Sequence, residues 1–334
     1  MKVKQFLSQF LPFIGLIFVI LVSLVAIQIN DPSGSDLASY TSLDNIKTIL
    51  IQTVVVGIAA LGMTLVIISA GIDLSVGSQI ALATVLFAVL LNGGSISASE
   101  MDQVPVFMVI LASLGTIAAC SLCGFINGFL SSVLKIIPFI VTLGTMQIFR
   151  GIAKWIAGGE SVRTPDNLAQ SFMDYDGFFG IGVGFYLLLA AIIIIAVLLK
   201  KTVLGRHIYA IGSSENTARL CGVQVEQKKV LIYVLCGVFT GLAGIMQYSF
   251  LGSGNPTIAV GLELNIIAAV VIGGGSLSGG EGSAIGTFVG ALIMSTLGST
   301  CTMLGAETYV QEIIIGTIVI IAVGIDRLKH LKTI

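Results

Sequence analysis

Apolar positions in this chain fall into long blocks broken by short polar segments. A membrane-crossing helix needs ~17–25 predominantly apolar residues. Blocks of that kind lie near 10–29, 48–70, 74–92, 104–134, 137–156, 178–199, 229–251, 263–274, 284–304 and 309–325. The pattern predicts an all-α polytopic membrane protein of about ten transmembrane helices, with one or two broken or re-entrant segments, in a single transmembrane domain over 1–334. The 263–274 run is too short to cross alone, so a re-entrant or broken helix is expected there, tolerated only where protein or a water-filled cavity lines it. The 104–134 run is overlong and is expected to tilt or break. After the positive start Met1-Lys-Val-Lys4, the run from Phe10 to Ile29 is too long for a signal peptide core and lacks an A-x-A site. It reads as a first transmembrane helix.

Composition agrees with the pattern. Mean hydropathy is +1.05, with 56% hydrophobic and 10% charged residues, against ~25% charged in soluble domains. Too little charge is present to cover a soluble surface. The 40 glycines suit helices whose backbones approach closely.

The net charge of −1 identifies no partner; the position of each charge carries the information. Segments 30–46 and 93–103 hold no Lys or Arg, and 157–177 holds only Arg163. These segments carry Asp31, Asp36, Asp44, Glu100, Asp102, Glu160, Asp166, Asp174 and Asp176. On the other side fall Lys2, Lys4, Lys135, Lys200, Lys201, Arg206, Arg219, Lys228, Lys229, Arg327, Lys329 and Lys332. The bias predicts both termini in the cytoplasm and an even number of crossings.

The longest basic loop, 200–229, is then cytoplasmic. Ser213 or Ser214 can cap a helix start, Glu215 favours its first turn, and Gly222 is placed to end it. Two readings stand for this short helix: an interfacial helix without a partner, or a docking element for a cytoplasmic protein.

Chemistry-bearing residues are sparse. Asp73, in Ala70-Gly-Ile-Asp-Leu-Ser-Val-Gly-Ser78, is a carboxylate between two long apolar runs. It is read either as a cap for the third helix or as a pathway residue latched to Arg150 or Lys154. Arg150 can snorkel to an interface or pair inside the bundle. Glu263 is either a helix-start anion or a gate. Asn127, Thr142, Thr145 and Asn265 are uncharged polar candidates for a path taken by a hydroxyl-rich solute. The glycine-rich segment 273–282 lacks the Lys-Ser/Thr ending of a phosphate loop, so no ATPase of the chain's own is expected. It weakly echoes 66–78: each is an apolar run, a Gly/Ser break around one acid, then a helix. Interrupted helices in corresponding halves point to a transport site. The pairs Gly124/Gly128, Gly180/Gly184, Gly241/Gly244 and Gly286/Gly290 read as packing faces. The five cysteines (Cys120, Cys123, Cys221, Cys236, Cys301) and two histidines assemble no redox or metal site, and no catalytic set or nucleic-acid patch is found.

At this point five blocks, in order over roughly 50–325, carry a resemblance. They are Gly62–Gly77; Phe125-Ile-Asn-Gly128; Ile137–Met146 with Ile148-Phe-Arg-Gly151; Gly205–Ser213 with Ala218-Arg-Leu220 and Gly222-Val223; and Ala268–Ser283. The chain resembles the ribose-type branch of ABC sugar importer permeases. Ala70 departs from the usual glycine, and Cys221 from a small or Ser-like residue. The resemblance implies a subunit of the bacterial cytoplasmic (inner) membrane that pairs as a homo- or heterodimer. A periplasmic or extracellular sugar-binding protein would deliver solute outside, and a separate cytoplasmic ATPase would bind ATP-Mg. No cofactor is expected in this chain. Ser213, Ser214, Glu215, Asn216, Thr217, Ala218, Arg219, Leu220 and Gly222 match the position of the family's coupling helix. The rival readings are a secondary transporter and a channel.

Overall fold

A computed structural model describes residues 2–96, 103–173 and 181–331. Of the residues placed above, Glu100, Asp102, Asp174, Asp176, Gly180 and Lys332 lie outside that range. The side chains of Lys2, Lys4, Arg327, Lys329 and His330 are likewise outside the description.

Each apolar run folds as helix. The runs become α1 (Lys2–Asn30), α3 (Leu43–Ile68), α4 (Val76–Leu91), α5 (Val106–Gly128), α6 (Pro138–Ala157), α7 (Val183–Lys201), α10 (Val225–Leu251), α11 (Leu262–Ile272), α12 (Ala284–Met303) and α13 (Thr308–Leu331). Short helices α2 (Ser35–Tyr40), α8 (Val203–Ser213) and α9 (Glu215–Leu220) join them. Among the described residues, six helices are long and apolar enough to cross a membrane, while Val76–Leu91, Leu262–Ile272 and Thr308–Ile321 are shorter apolar helices. The overlong 104–134 run does not break: α5 continues into a π-helical turn, Phe129–Val133, giving one apolar helix of 28 residues over Val106–Val133.

The bundle is layered around α3. That helix is apolar on all sides, and Val54, Ile58, Leu61 and Leu65 are wholly buried, as a helix enclosed by other helices requires. It packs against α7, α10, α11 and α12. Outer helices invert the pattern: Phe18 on α1, Phe107 on α5 and Ile193 on α7 are exposed. Such a surface suits lipid or another subunit, not water.

Glycines set the closest crossing. A side chain at Gly124 or Gly128 of α5 would run into the α10 backbone at Tyr233 and Val230, and one at Gly237 or Gly241 would meet α5 at Cys120 and Ile117. Gly286 and Gly290 let α12 lie on α11 in the same manner. Gly124/Gly128 and Gly286/Gly290 pack helices together, as their spacing predicts, whereas Gly241 faces α5 and Gly244 faces Ala83 of α4.

Two chain ends of the bundle are distinct. At one, β1 (Val162–Arg163) pairs antiparallel with β2 (Ser253–Gly254), and Asn92 at the end of α4 donates to the Arg163 carbonyl. At the other, α8 and α9 link α7 to α10. Here one expectation is corrected: the 200–229 segment holds two helices, not one. Ser213 ends α8, and Ser214 alone caps α9, accepting from the Thr217 amide at 3.3 Å. Gly222, with φ +83°, follows α9 as its predicted stop.

The sequence echo is a structural one. After α3, Ala70 takes φ +60° and the Gly71 amide donates back to the Val66 carbonyl at 2.9 Å. After α11, Gly274 takes φ +90° and the Gly275 amide donates to Val270 at 2.8 Å. Both are the same left-handed C-terminal cap, one with alanine where the other has glycine.

Candidate functional site

Four of the polar residues singled out in the sequence meet in one place. Asp73 lies in the segment between α3 and α4 and is wholly buried. Its Oδ1 accepts from the Ser75 amide at 2.9 Å and the Ser75 hydroxyl at 2.6 Å. Asn127 of α5 donates to both carboxylate oxygens, at 3.3 and 3.2 Å, and to Ser75 Oγ at 2.8 Å. The hydroxyl of Thr145, on α6, donates to Asn127 Oδ1 at 2.7 Å. Nearby, Thr142 and Tyr233 both donate to the Ile72 carbonyl, at 3.5 and 3.2 Å. A buried carboxylate survives when donors converge on it, and this one accepts from Ser75 of its own segment and from Asn127 of α5.

This geometry corrects two expectations. Asp73 does not cap α4 itself, since Ser75 occupies that position, and its partners are Ser75 and Asn127 rather than Arg150 or Lys154. Asp73, Asn127, Thr142 and Thr145 were expected to line a path. They are buried and bonded to one another or to backbone, and so tie the α3–α4 break to α5 and α6.

Arg150 is not paired with Asp73. It donates to the carbonyls of Pro256 at 3.2 Å, Ile258, and Ala259 at 3.4 Å. Those carbonyls belong to the non-helical stretch between β2 and α11, which descends along α4. The Asn255 amide is bonded to Thr84 Oγ1, and Gly77 lies against the Ala259 carbonyl and the Glu263 carboxylate. From Thr84 to Gly77 the descent covers about 10 Å at ~1.5 Å per residue. Open backbone at such depth needs internal partners, and the guanidinium supplies them. Glu263 opens α11 and is the opposite charge acting on Arg150.

Between α6 and this descending stretch lies a cleft of about 230 Å³ lined by Gln147, Arg150, Lys154, Thr257 and Glu263. Gln147, Lys154 and Thr257 are exposed and Arg150 and Glu263 half-buried. Of the expected path residues only Glu263 lines it; Asn265, two residues on, is half-buried and is not among the lining residues. Gln147 and Thr257 escaped the sequence reading. Their signal is a stripe: Gln147, Arg150 and Lys154 recur on one face of an otherwise apolar helix.

Ile211 of α8, Ala218 of α9 and Val225 at the start of α10 form a small separate core. Glu215 bonds Arg219 at 3.0 Å and Lys229 at 2.6 Å, and Arg219 also pairs with Glu226. The Lys229 ammonium, with Arg219, holds the Glu215 carboxyl below the ordinary glutamate range. Asn216, Thr217 and Arg219 are exposed, and Leu220 at the tip is 89% exposed.

Taken together, a bundle of apolar helices with two interrupted by capped breaks, a polar cleft on an apolar face and a separate exposed hairpin suits a membrane transport permease. Residues 45–323 match the family described as "Branched-chain amino acid transport system / permease component", and the chain belongs to that family. It is 39% identical over 320 residues to the ribose import permease protein RbsC of Bacillus subtilis (strain 168), covering 95% of this chain and 92% of the relative. Similarity to the galactose/methyl galactoside import permease protein MglC of Escherichia coli (strain K12) is 37% over 331 residues, 95% of each chain. Ribose import permease protein RbsC of Escherichia coli (strain K12) is 37% identical over 299 residues, 87% of this chain and 88% of its own. No solved structure matches.

Proposed function

We propose that this chain is the transmembrane permease subunit of a binding-protein-dependent ABC importer for a monosaccharide or related polyol-like solute. A second permease subunit, identical or homologous, supplies the other half of the path. A cytoplasmic ATPase that binds ATP and Mg²⁺ docks on α9, and a periplasmic or extracellular sugar-binding protein delivers solute at the β1–β2 end. The chain crosses the inner membrane about ten times, with both termini in the cytoplasm. Similarity to ribose and galactose/methyl galactoside import permeases supports the solute class.

One observation carries the reading: the cleft of Gln147, Arg150, Lys154, Thr257 and Glu263 opens on the exposed face of α6, among Phe139, Ile140, Ile148 and Trp155. Arg150 lies about 10 Å from the α6 end at Ala157, at ~1.5 Å per residue. Charges at that depth are costly against acyl chains and belong on a wet cavity or a protein contact. A second subunit covering the apolar residues of this face would leave the cleft as a hydrated path. Its amide, hydroxyl, guanidinium and carboxylate groups offer the donors and acceptors that sugar hydroxyls need.

Reconstitution tests the reading. Proteoliposomes carrying the permease, its ATPase and sugar-loaded binding protein should take up sugar only with ATP, and uptake should survive ionophores that collapse ion gradients. Leu220→Asp should lower both capture of the ATPase and uptake more than tenfold. Uptake driven by an ion gradient without ATP would point to a secondary transporter instead.

A further inference from the structure

The two capped breaks, after α3 and after α11, touch each other at a point also occupied by the end of α8. The Gly280 amide donates to the Ile68 carbonyl at 2.8 Å, bonding the second break to the first. Gly282 packs on the Ile68 side chain, and Gly279 lies against both Ala70 and Gly212. Gly212 is the penultimate residue of α8. A Cβ at this residue would overlap the Ile68 carbonyl and crowd the Gly280 amide. One turn earlier, the Tyr209 hydroxyl donates to the Gly282 carbonyl at 2.7 Å. The end of α8 therefore meets both breaks through backbone, with no flexible side chain between them.

Each partner in this contact has a distinct connection. Through Ile68 and Ala70, α8 meets the segment whose next turn holds Asp73 and then α4. Through Gly279 to Gly282 it meets the loop joining α11, with Glu263 at its far end, to α12. Through Ser214 it continues directly into α9. Backbone packed on backbone transmits displacement with little slack, because close-packed interiors have low compressibility.

We propose that Gly212 is the positioning residue that joins the α9 hairpin to both helix breaks, so that displacement of α9 moves the 69–75 and 273–283 segments as one body. The proposal rests on the assignment of α9 as the ATPase-docking helix. It adds that a single glycine, not the length of α7 or α10, carries the motion to the segments that lead into α4 and α12.

Two experiments on the reconstituted full complex test it. In Gly212→Ala the hairpin, lifted off the breaks, should still capture the ATPase within twofold of the unmodified chain, and ATP hydrolysis should continue. Sugar taken up per ATP hydrolysed should fall at least tenfold. Gly212→Ser should lie no higher than Gly212→Ala, whereas Tyr209→Phe, which removes one bond and adds no bulk, should cost less than threefold. An uptake-to-hydrolysis ratio within twofold of the unmodified chain in Gly212→Ala overturns the proposal.

The second experiment does not depend on how well that variant folds. Ser213 Cβ lies 3.5 Å from the Cβ position of Gly280, within the ~3.5–4.5 Å span of a disulfide. The pair Ser213→Cys and Gly280→Cys is made in a Cys221→Ser background, since Cys221 is the exposed cysteine. Elements that travel together tolerate a bond between them, so the oxidised protein should keep at least half the uptake of the same protein reduced. A more than tenfold loss on oxidation, restored by reductant, shows that hairpin and break slide past each other and overturns the proposal. Equal ATPase capture by Leu220→Asp and the unmodified chain strikes the docking assignment instead, and the disulfide result is read independently of it.

Discussion

The Asp73 cluster and the α6 cleft are built from similar polar side chains in one apolar bundle, yet they are arranged in opposite ways. In the first, Asp73, Ser75, Asn127 and Thr145 turn their polar atoms on one another and are buried. In the second, Arg150 is turned on backbone carbonyls, while Gln147, Lys154 and Thr257 face outward and Glu263 faces the cleft. A polar group inside an apolar bundle needs a partner, and where the protein supplies it the group is structural. Where polar groups at similar depth look outward, the partner must come from water, solute or a second subunit. Satisfaction, rather than polarity, separates a knot that holds the bundle from a surface that serves transport.

The sharpest way to break this comparison is Asn127→Leu. The change strips both Asp73 oxygens of their amide donor and Thr145 of its acceptor, in a place where water does not reach. Losing a bond to a buried charge should cost about 3 kcal/mol, read as lower unfolding temperature and reduced monodispersity in detergent. The mirror experiment is Gln147→Leu in the cleft. Stability should hold within ~0.5 kcal/mol, as for a surface change, while ATP-driven sugar uptake falls about tenfold, or ~1.4 kcal/mol of barrier. If Asn127→Leu unfolds no more easily than Gln147→Leu, or if Gln147→Leu transports normally, the division between knot and path fails.

How far the sequence carried these assignments differs between the two regions. The apolar runs announced the helices, because membrane crossing imposes a length that few other structures need. The cap at Ser214 and the stop at Gly222 were legible because capping chemistry is local. Asp73, Asn127, Thr142 and Thr145 stood out by polarity, but their mutual bonds join positions far apart in the chain, and no local pattern reports that. The partners of Arg150 are backbone carbonyls, which side-chain patterns never reveal. Helix α8 was missed because Gly205 and Gly212 lower its propensity. It forms because Ile208 and Ile211 are buried and because those same glycines let it approach the α7 end and the breaks.

The smallest effect sharpens the knot's own foundation. Ala70 holds φ +60° at the break that leads into the Asp73 cluster, where the matching break uses Gly274 at +90°. A Cβ in the left-handed region costs about 1 kcal/mol, and the Ala70 side chain is exposed, so packing returns little of it. Ala70→Gly removes that strain but also loosens the unfolded chain, which takes back part of the gain. The net should be a stabilisation of about 0.5 kcal/mol, visible as a slightly higher unfolding temperature with uptake unchanged. If the break instead depends on the methyl, the variant will unfold at lower temperature. Strain at Ala70 would then not be what the buried cluster holds in place, and the capped turn rather than the Asp73 network would be the element that fixes the path of the chain into α4.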